Sequence, residues 1–219
     1  MQELFKGVYF IDKFLSTKNA VPGKAVYGER LIREEGAEYR AWDPFRSKLA
    51  AAIRKGMKTF PFSEGTKVLY LGASTGTTPS HVSDIVGPDG EIYAVEISAH
   101  CMKSLIRLAE QKGRENIIPI LGDANKPDSY EEVGEVDVIY QDVSQPNQDE
   151  ILIKNSEMFL KKGGIAMIAI KSQSIDVTKK PEETFAGVLD QLSTHFEVLE
   201  KMKLEPFDKD HLFVVLRKK

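Results

Sequence analysis

The sequence predicts an α/β protein with a seven-stranded, mostly parallel sheet, preceded by a small domain that is mostly β. From Lys67 onward, short apolar segments alternate with helical segments, which is typical of a parallel sheet covered by helices. The last two apolar segments have no helix between them, so we expect a hairpin that places one antiparallel strand in the sheet. Residues 1–55 lack this alternation. We therefore expect an N-terminal β-rich domain over 1–55 and the α/β domain over 56–219.

The N-terminal segment has the signals of short strands and one helix. Val8–Ile11 and Val26–Tyr27 are predicted to be extended. Arg30–Arg40 is predicted to form a hairpin that turns at Glu35-Gly36. Strong helix formers within Phe45–Lys55 predict a helix there.

The α/β domain follows a regular order of strands and helices. Its predicted strands are Lys67–Leu71, Glu91–Glu96, Ile117–Leu121, Val136–Tyr140, Ile165–Ile170, Phe196–Leu204 and Leu212–Leu216. Its predicted helices begin near Thr77 and cover Ser98–Lys112, Glu150–Leu160 (closed by Gly163-Gly164) and Glu182–Leu192. A helix between consecutive strands makes the strands parallel, whereas the short link through Pro206 makes the final pair a hairpin.

Composition sets limits on the kind of protein. Of 219 residues, 42% are hydrophobic and 29% charged, which predicts a packed core rather than disorder. The longest apolar runs fall far short of the roughly 20 residues that span a bilayer, and the first residues do not resemble a signal peptide. We expect no membrane association. A single cysteine, Cys101, allows no internal disulfide, which indicates a reducing compartment, and we expect a cytoplasmic protein.

Charge is distributed unevenly along the chain. The net charge is −3, but residues 1–55 carry eleven Lys and Arg against seven Asp and Glu, whereas residues 56–219 carry nineteen against twenty-six. Proteins that bind nucleic acid unaided are usually basic, because affinity comes largely from neutralised phosphates. If the substrate is a polyanion, we expect other molecules to help hold it.

Polar and glycine residues follow the first three strands of the α/β domain. Gly72 and Gly76 follow the first strand and allow a sharp turn close to a ligand. Glu96 ends the second strand, where a carboxylate can accept hydrogen bonds from a ribose diol, and Asp123-Ala124 follows the third. Ligands bind at this edge of open α/β sheets. A Gly-x-x-x-Gly turn also occurs in folds that bind no nucleotide, so the glycines alone decide little.

The spacing of the loop indicates which nucleoside would bind. Dinucleotide sites favour Gly-x-Gly-x-x-Gly, and a P-loop requires a lysine; neither pattern is present. S-adenosylmethionine has no phosphate and carries a sulfonium charge, which suits carboxylates and backbone carbonyls. The loop therefore favours S-adenosylmethionine over NAD.

Four further polar residues mark a second candidate site. Asp142 follows the fourth strand, Lys171 follows the fifth, His211 opens the last, and Lys48 lies on an otherwise apolar helix. Each has an ordinary alternative: a turn-forming acid, a lysine that reaches solvent, an edge histidine and a solvated helix face. We see no metal-ligand cluster and expect no metal.

Four long motifs carry a resemblance to a known family. They are Trp42-Asp-Pro-Phe-Arg-Ser-Lys-Leu-Ala-Ala-Ala-Ile, Val68-Leu-Tyr-Leu-Gly-Ala-Ser-Thr-Gly-Thr-Thr, Tyr140-Gln-Asp-Val-Ser-Gln-Pro and Ala169-Ile-Lys-Ser-Gln-Ser-Ile-Asp. In this order they strongly resemble fibrillarin, and in particular archaeal fibrillarin-like RNA 2′-O-methyltransferases, over nearly the whole chain. The Gly/Arg-rich N-terminal region of the eukaryotic form is missing, so we expect the archaeal type.

The resemblance implies a fold, an activity, a site and partners. It implies a Rossmann-like class I methyltransferase fold, with S-adenosyl-L-methionine as cofactor and ribose 2′-hydroxyls of rRNA or tRNA as acceptors. The implied catalytic residues are Lys48, Asp142, Lys171 and His211. The implied cofactor-binding residues include residues of the glycine loop. They are Gly72, Ala73, Thr77, Thr78, Glu96, Ile97, Asp123, Ala124, Asp142 and Gln145. The implied partners are a Nop-domain scaffold protein, a kink-turn-binding ribosomal-type protein, a box C/D guide RNA and the target RNA.

Three questions stay open at this point. The same fold serves small-molecule O-methyltransferases and aminopropyltransferases, which do not require the Lys-Asp-Lys-His set. A non-catalytic scaffold could keep the fold and the nucleoside site. Within the expected activity, Lys171 is either the general base or a group that orients the hydroxyl.

Overall fold

The strands form two separate sheets. The computed structural model describes residues 1–219, and its first sheet is antiparallel with the order β1-β2-β3-β5-β4. Its strands are β1 (Gln2–Phe5), β2 (Val8–Ile11), β3 (Phe14–Lys18), β4 (Leu31–Glu34) and β5 (Ala37–Ala41). The small β-rich N-terminal unit predicted from the sequence is therefore present.

Individual N-terminal predictions had different outcomes. The strand at Val8–Ile11 and the β4–β5 hairpin are confirmed, and Glu35 and Gly36 turn the hairpin with φ of 48° and 78°. The prediction that Val26–Tyr27 is extended is wrong. These residues form a bend, because the Glu29 carboxylate accepts hydrogen bonds from both of their backbone N–H groups. The flanking strands β1 and β3 were not predicted.

The second sheet has seven strands in the order β11-β12-β10-β9-β6-β7-β8. They are β6 (Lys67–Leu71), β7 (Glu91–Glu96), β8 (Ile117–Leu121), β9 (Val136–Gln141), β10 (Leu160–Lys171), β11 (Phe196–Lys203) and β12 (His211–Lys218). Neighbouring strands pair in parallel except that β12 runs antiparallel to both β10 and β11. The predicted mostly parallel sheet with one antiparallel strand is confirmed.

Helices connect the strands of this sheet. They are α1 (Lys48–Arg54), α2 (Thr77–Val86), α3 (Ala99–Ala109), α4 (Gln148–Phe159), α5 (Ser172–Ile175) and α6 (Pro181–His195), with a 3-10 helix over Pro127–Val133. The prediction that a helix runs to Leu160 and closes at Gly163-Gly164 is wrong. The helix ends at Phe159, and the two glycines lie inside β10, where the pairing with β9 shifts register. The helix expected from Phe45 starts at Lys48, where the Ser47 side chain caps it. Neither α5 nor the 3-10 helix was predicted, and no helix is both long and apolar enough to cross a membrane.

Alternate residues of the strands pack on opposite faces of the large sheet. Val68 and Tyr70 face one buried cluster, which also contains residues of α1, α2 and α3. Leu69 and Leu71 face a second cluster, which contains residues of α4 and α6. Because the first cluster also includes Val8 of the small sheet, the two sheets share one continuous core. The division into two domains at residue 55 stays a prediction that limited proteolysis would check.

A buried ion network joins the small sheet to α2. The Asp84 carboxylate lies 2.8 Å from Nη1 of Arg40 and 3.0 Å from Nη1 of Arg114, and all three side chains are fully buried. Arg40 also contacts Glu29. Beside them, His81 is held by hydroxyl groups, and burial together with the two guanidiniums lowers its pKa well below the usual value. Removing one partner of such a network leaves a buried charge uncompensated, which strongly destabilises the folded protein. The network therefore fixes the position of the small sheet relative to α2.

Candidate functional site

The predicted site residues meet at the carboxyl edge of the large sheet. Gly72 directly follows β6, Glu96 is the last residue of β7, and Asp142 directly follows β9. Because β6 lies between β7 and β9, these three strand ends are neighbours. The order of strands also reverses here, which is where open α/β sheets bind ligands.

Close backbone contact explains the first glycine of the loop. Gly72 has φ of +82°, a conformation that favours glycine. A Cβ atom at this position would overlap the carbonyl oxygen of Asp142 and sit 2.9 Å from its carbonyl carbon. The backbone N–H of Gly72 donates to Val95 O, and that of Asp142 donates to Leu71 O. These contacts set the position of Asp142 relative to the loop.

The carboxylate of Glu96 is held by the backbone. One oxygen accepts from the N–H of Ser74 at 2.7 Å, and the other accepts from the N–H of Ser98 at 2.8 Å. The side chain is almost completely buried. An ionised carboxylate offers about four acceptor positions, so Glu96 can accept further hydrogen bonds from a ligand.

A cavity of about 380 Å³ lies between these strand ends. This volume is in the range of small-molecule sites. Six of the ten predicted cofactor residues line it: Gly72, Glu96, Ile97, Ala124, Asp142 and Gln145. It is also lined by residues that were not predicted: Ser74, Val95, Gly122, Val143 and Ser144. Most of these are neighbours of predicted residues in the loops after each strand, which is the signal that could have identified them.

The other predicted cofactor residues lie beside the cavity rather than on its wall. Thr78 is buried and donates to the Ser47 hydroxyl at 2.9 Å, which links α2 to the start of α1. Asp123 accepts from the backbone N–H of Asn125 and from the Gln145 amide at 3.1 Å, and these bonds lower its pKa. Asp123 thus orients a residue of the wall. Ala73 is buried behind the loop, and Thr77 is the first residue of α2. The roles of all ten residues stay predictions.

The charges that line the cavity are suited to S-adenosylmethionine. Its only charged lining residues are Glu96 and Asp142, and no Lys or Arg lines it. A pyrophosphate would meet two carboxylates without a cation, which is unfavourable. A ligand with a positive charge and a ribose diol finds acceptors for both. The residues present therefore fit the cofactor that the sequence indicates.

A second cluster of polar residues adjoins the cavity. The Lys48 amine lies 2.9 Å from Oδ1 of Asp142 and 3.0 Å from Oδ2, and both side chains are about one-quarter exposed. Lys48 is the first residue of α1, and its helix is buried along Leu49–Ile53. Asp142 therefore belongs to both the cavity and this cluster.

Asp208 is a member of the cluster that the sequence did not indicate. Its carboxylate lies 3.8 Å from the Lys48 amine and 2.9 Å from Nδ1 of His211. The same Nδ1 lies 2.7 Å from the carbonyl oxygen of Lys209. Because a carbonyl only accepts, Nδ1 carries a proton that is shared between the Asp208 carboxylate and the Lys209 carbonyl. Asp208 lies in the loop between β11 and β12, three residues before His211, where an acid has no distinctive sequence signal.

Lys171 stands next to His211 but apart from the ion pairs. The two residues are directly opposite in the β10–β12 ladder, so their side chains leave the sheet on the same face. The backbone of Lys171 is bonded to the Gln148 side chain through both its N–H and its carbonyl. Its amine has no carboxylate within 4.0 Å. The structure thus brings Lys48, Asp142 and His211 together through Asp208 and leaves the amine of Lys171 free.

Comparisons with known proteins agree with this geometry. The family model for fibrillarin matches residues 1–219. The fibrillarin-like rRNA/tRNA 2′-O-methyltransferase of Pyrococcus abyssi is 53% identical over 98% of this chain and 96% of its own. The crystal structure of Aeropyrum pernix fibrillarin with natively bound S-adenosyl-L-methionine is 46% identical, with a TM-score of 0.85 over 93% of this chain and 88% of that one.

A third comparison covers the full length of both chains. The crystal structure of a fibrillarin/Nop5p complex is 44% identical, with a TM-score of 0.91 over 100% of each chain. The resemblance seen in the four sequence motifs and the predicted Rossmann-like methyltransferase fold are both confirmed. The chain belongs to the fibrillarin family.

Proposed function

We propose that this chain transfers a methyl group from S-adenosyl-L-methionine to ribose 2′-hydroxyls of rRNA or tRNA, as the catalytic subunit of a box C/D guide-RNA particle. One observation carries the proposal: Asp142 lines the cofactor cavity and at the same time pairs with Lys48 outside it. A single residue thus connects a site for the methyl donor with a cluster suited to an alcohol acceptor. The similarity to the P. abyssi rRNA/tRNA 2′-O-methyltransferase and to A. pernix fibrillarin, which binds S-adenosyl-L-methionine, supports the same reaction.

The cavity residues hold and orient the donor in this proposal. Glu96 accepts hydrogen bonds from ribose hydroxyls, and Gln145, oriented by Asp123, lies on the opposite loop. When bound, the cofactor supplies a methyl group that its sulfonium charge already activates. The enzyme then has to align the acceptor oxygen with this group and remove one proton.

The second cluster acts on the acceptor. The Lys48 ion pair holds the Asp142 carboxylate, and Asp208 and Lys209 accept the Nδ1 proton of His211. Lys171, whose amine has no carboxylate partner, contacts the 2′-hydroxyl and either orients it or takes its proton.

In this proposal, partner proteins supply part of the binding affinity for RNA. The net charge of −3 gives the chain little overall attraction for a polyanion. A related fibrillarin has been crystallised in complex with Nop5p, which supports a Nop-domain partner here. A kink-turn-binding protein and a guide RNA complete the proposed particle, and the guide selects the nucleotide by base pairing.

Methyl transfer from labelled S-adenosylmethionine tests the proposal. The expected result is one 2′-O-methyl group at the guided nucleotide of a target RNA in the complete particle, and little transfer by the chain alone. A target with a 2′-deoxyribose at that nucleotide is the matched control and should accept nothing. Full turnover on free nucleosides would instead support a small-molecule methyltransferase. Cofactor binding without transfer to any acceptor would support a scaffold.

A further inference from the structure

A second cavity, of about 480 Å³, lies between the small sheet, the segment that precedes α1 and the last residue of α1. Its lining includes Phe14 of β3 and Arg54 of α1. The cofactor cavity shares none of its lining residues. No step of the proposed reaction uses it so far.

Four cations line this cavity, and each lies over an aromatic ring. The cations are Lys13, Arg30, Arg46 and Arg54. Arg30 lies 5.3 Å and Lys13 lies 5.7 Å from the ring centre of Phe14. Arg46 lies 5.0 Å from the ring of Tyr27, and Arg54 lies 5.1 Å from that of Phe10. These are all the cation–π contacts in the protein, so every cation that lies over an aromatic ring lines this one cavity.

None of the four cations has a carboxylate within 4.0 Å. The ion pairs of the protein involve other Lys, Arg and His residues. The cavity also contains Glu29 and Asp43, but Glu29 is bound by buried Arg40, and Asp43 accepts from the backbone N–H of Phe45. Aromatic faces therefore hold the cations in place while most of their N–H donors stay free for an anion.

The cavity adjoins the acceptor cluster. Phe207, which lines the cavity, directly precedes Asp208 of the cluster. Phe45 packs edge-on against it with ring centres 5.2 Å apart and lies three residues before Lys48. Phe45 is 67% exposed, so most of its ring is accessible to a ligand in the cavity that it lines. Because the cluster and the cavity are adjacent, a polymeric ligand bound at the cluster can extend into the cavity.

We propose that this cavity binds the phosphodiester backbone of the RNA strand that carries the acceptor ribose, at phosphates next to the acceptor nucleotide. The inference rests on the proposed function and adds the site that holds the substrate strand. Guanidinium groups donate paired hydrogen bonds to phosphate oxygens. The rings of Phe45 and Phe207 provide an apolar wall for the sugar. The cations come from the part of the chain with a positive balance, so a local basic site exists on a protein of net charge −3.

The salt dependence of substrate binding tests this inference. The variant combines Arg30→Gln, Arg46→Gln and Arg54→Gln, three exposed residues whose replacement leaves the core intact. Each phosphate contact contributes about 0.7 to 0.9 to the slope of log K against log salt. In the assembled particle, we expect this slope for target RNA to become shallower by about 2 to 3 and KM to rise. Cofactor affinity and kcat at saturating RNA should not change.

A matched variant separates the cavity from the effect of charge alone. Lys24→Gln, Arg33→Gln and Lys112→Gln remove the same three charges at exposed positions outside the cavity. This variant should keep the slope of the unmodified protein. In a second arm, neutral methylphosphonate linkages replace the phosphates beside the acceptor one at a time. At least one linkage should raise KM for the unmodified protein but not for the cavity variant.

Three outcomes would overturn the inference. They are an unchanged slope in the cavity variant, an equal change in the matched variant, and a loss of affinity for the Nop-domain protein measured without RNA. The last outcome would make the cavity a protein-docking surface. If the unmodified particle transfers no methyl group, the proposed function fails, while filter binding of the target RNA at several salt concentrations still decides the role of the cavity.

Discussion

Replacing Gly72 with alanine tests how the loop positions the catalytic edge. The residue has φ of +82°, which costs an alanine about 1–2 kcal/mol. The new methyl would also overlap the carbonyl of Asp142, whose carbon would lie 2.9 Å away. Forcing such overlap in a packed interior adds a cost of about 1–3 kcal/mol. We therefore expect Gly72→Ala to lower the free energy of unfolding by roughly 2–5 kcal/mol.

Gly36→Ala is the matched control for this substitution. Gly36 has a similar φ of +78°, but nothing lies within 4 Å of the position of its Cβ. It should therefore show only the conformational cost, about 1–2 kcal/mol. Urea unfolding of both variants gives the difference, which isolates the contact with Asp142. Equal destabilisation by the two substitutions would refute the close approach of the loop to Asp142.

The same displacement should appear in ligand binding. A methyl at Gly72 pushes the Asp142 backbone away from the loop, and the Asp142 carboxylate moves relative to the cavity and to Lys48. Calorimetry should show weaker S-adenosylmethionine binding for Gly72→Ala and unchanged binding for Gly36→Ala. Unchanged affinity in both variants would show that Asp142 keeps its place or that the cavity does not bind the cofactor.

Other substitutions probe the remaining groups. Glu96→Gln removes a charged acceptor, so S-adenosylmethionine affinity should fall by about 1.5–3 kcal/mol in calorimetry, and an unchanged Kd would contradict the assignment to ribose. Lys171→Ala should abolish methyl transfer in the labelled-donor assay, whereas a tenfold loss of cofactor affinity would mean that its amine belongs to the donor site. Asp208→Asn should lower kcat through misorientation of His211 while leaving cofactor affinity intact, and full activity would exclude that role. Asp84→Asn leaves two buried guanidiniums without their carboxylate, so unfolding should become easier by about 3–5 kcal/mol; a loss of less than about 0.5 kcal/mol would refute the buried network.

The succession of strands along the chain and their directions could be predicted because they depend on local patterns, whereas the order of the strands within the sheet was not predicted. The alternation after Lys67 and the missing helix before His211 are visible in the sequence, and they determine the parallel sheet and its antiparallel strand. The strand ends of such a sheet converge at one edge, which is why residues far apart, such as Gly72 and Asp142, could be assigned to one site.

Contacts made only in the folded chain could not be predicted. The bend at Val26–Tyr27 depends on the Glu29 carboxylate, which is in turn held by Arg40. β10 extends back to Leu160 because Gly163 and Gly164 are accommodated as an irregularity in the pairing with β9, although glycines after a helix usually end it in a loop.

The role of Asp208 was hidden for a related reason. An acid in a loop is common in any sequence, and only the fold shows that it reaches both Lys48 and His211. Ser74 was missed because its backbone, rather than its side chain, contacts Glu96. Backbone donors have no residue signature, so a site built partly from them is always larger than the sequence indicates.

Asp142 is shared by two sites, and this has a thermodynamic consequence. Its carboxylate lies on the wall of the cofactor cavity and is also the partner of the Lys48 amine. A ligand that changes the position or charge environment of this carboxylate therefore changes the affinity of the other site. Linkage requires the effect to be reciprocal: the factor by which bound RNA alters the Kd of the methyl donor equals the factor by which the donor alters the Kd of RNA. Occupancy of one substrate site thereby changes the Kd of the other through a single side chain.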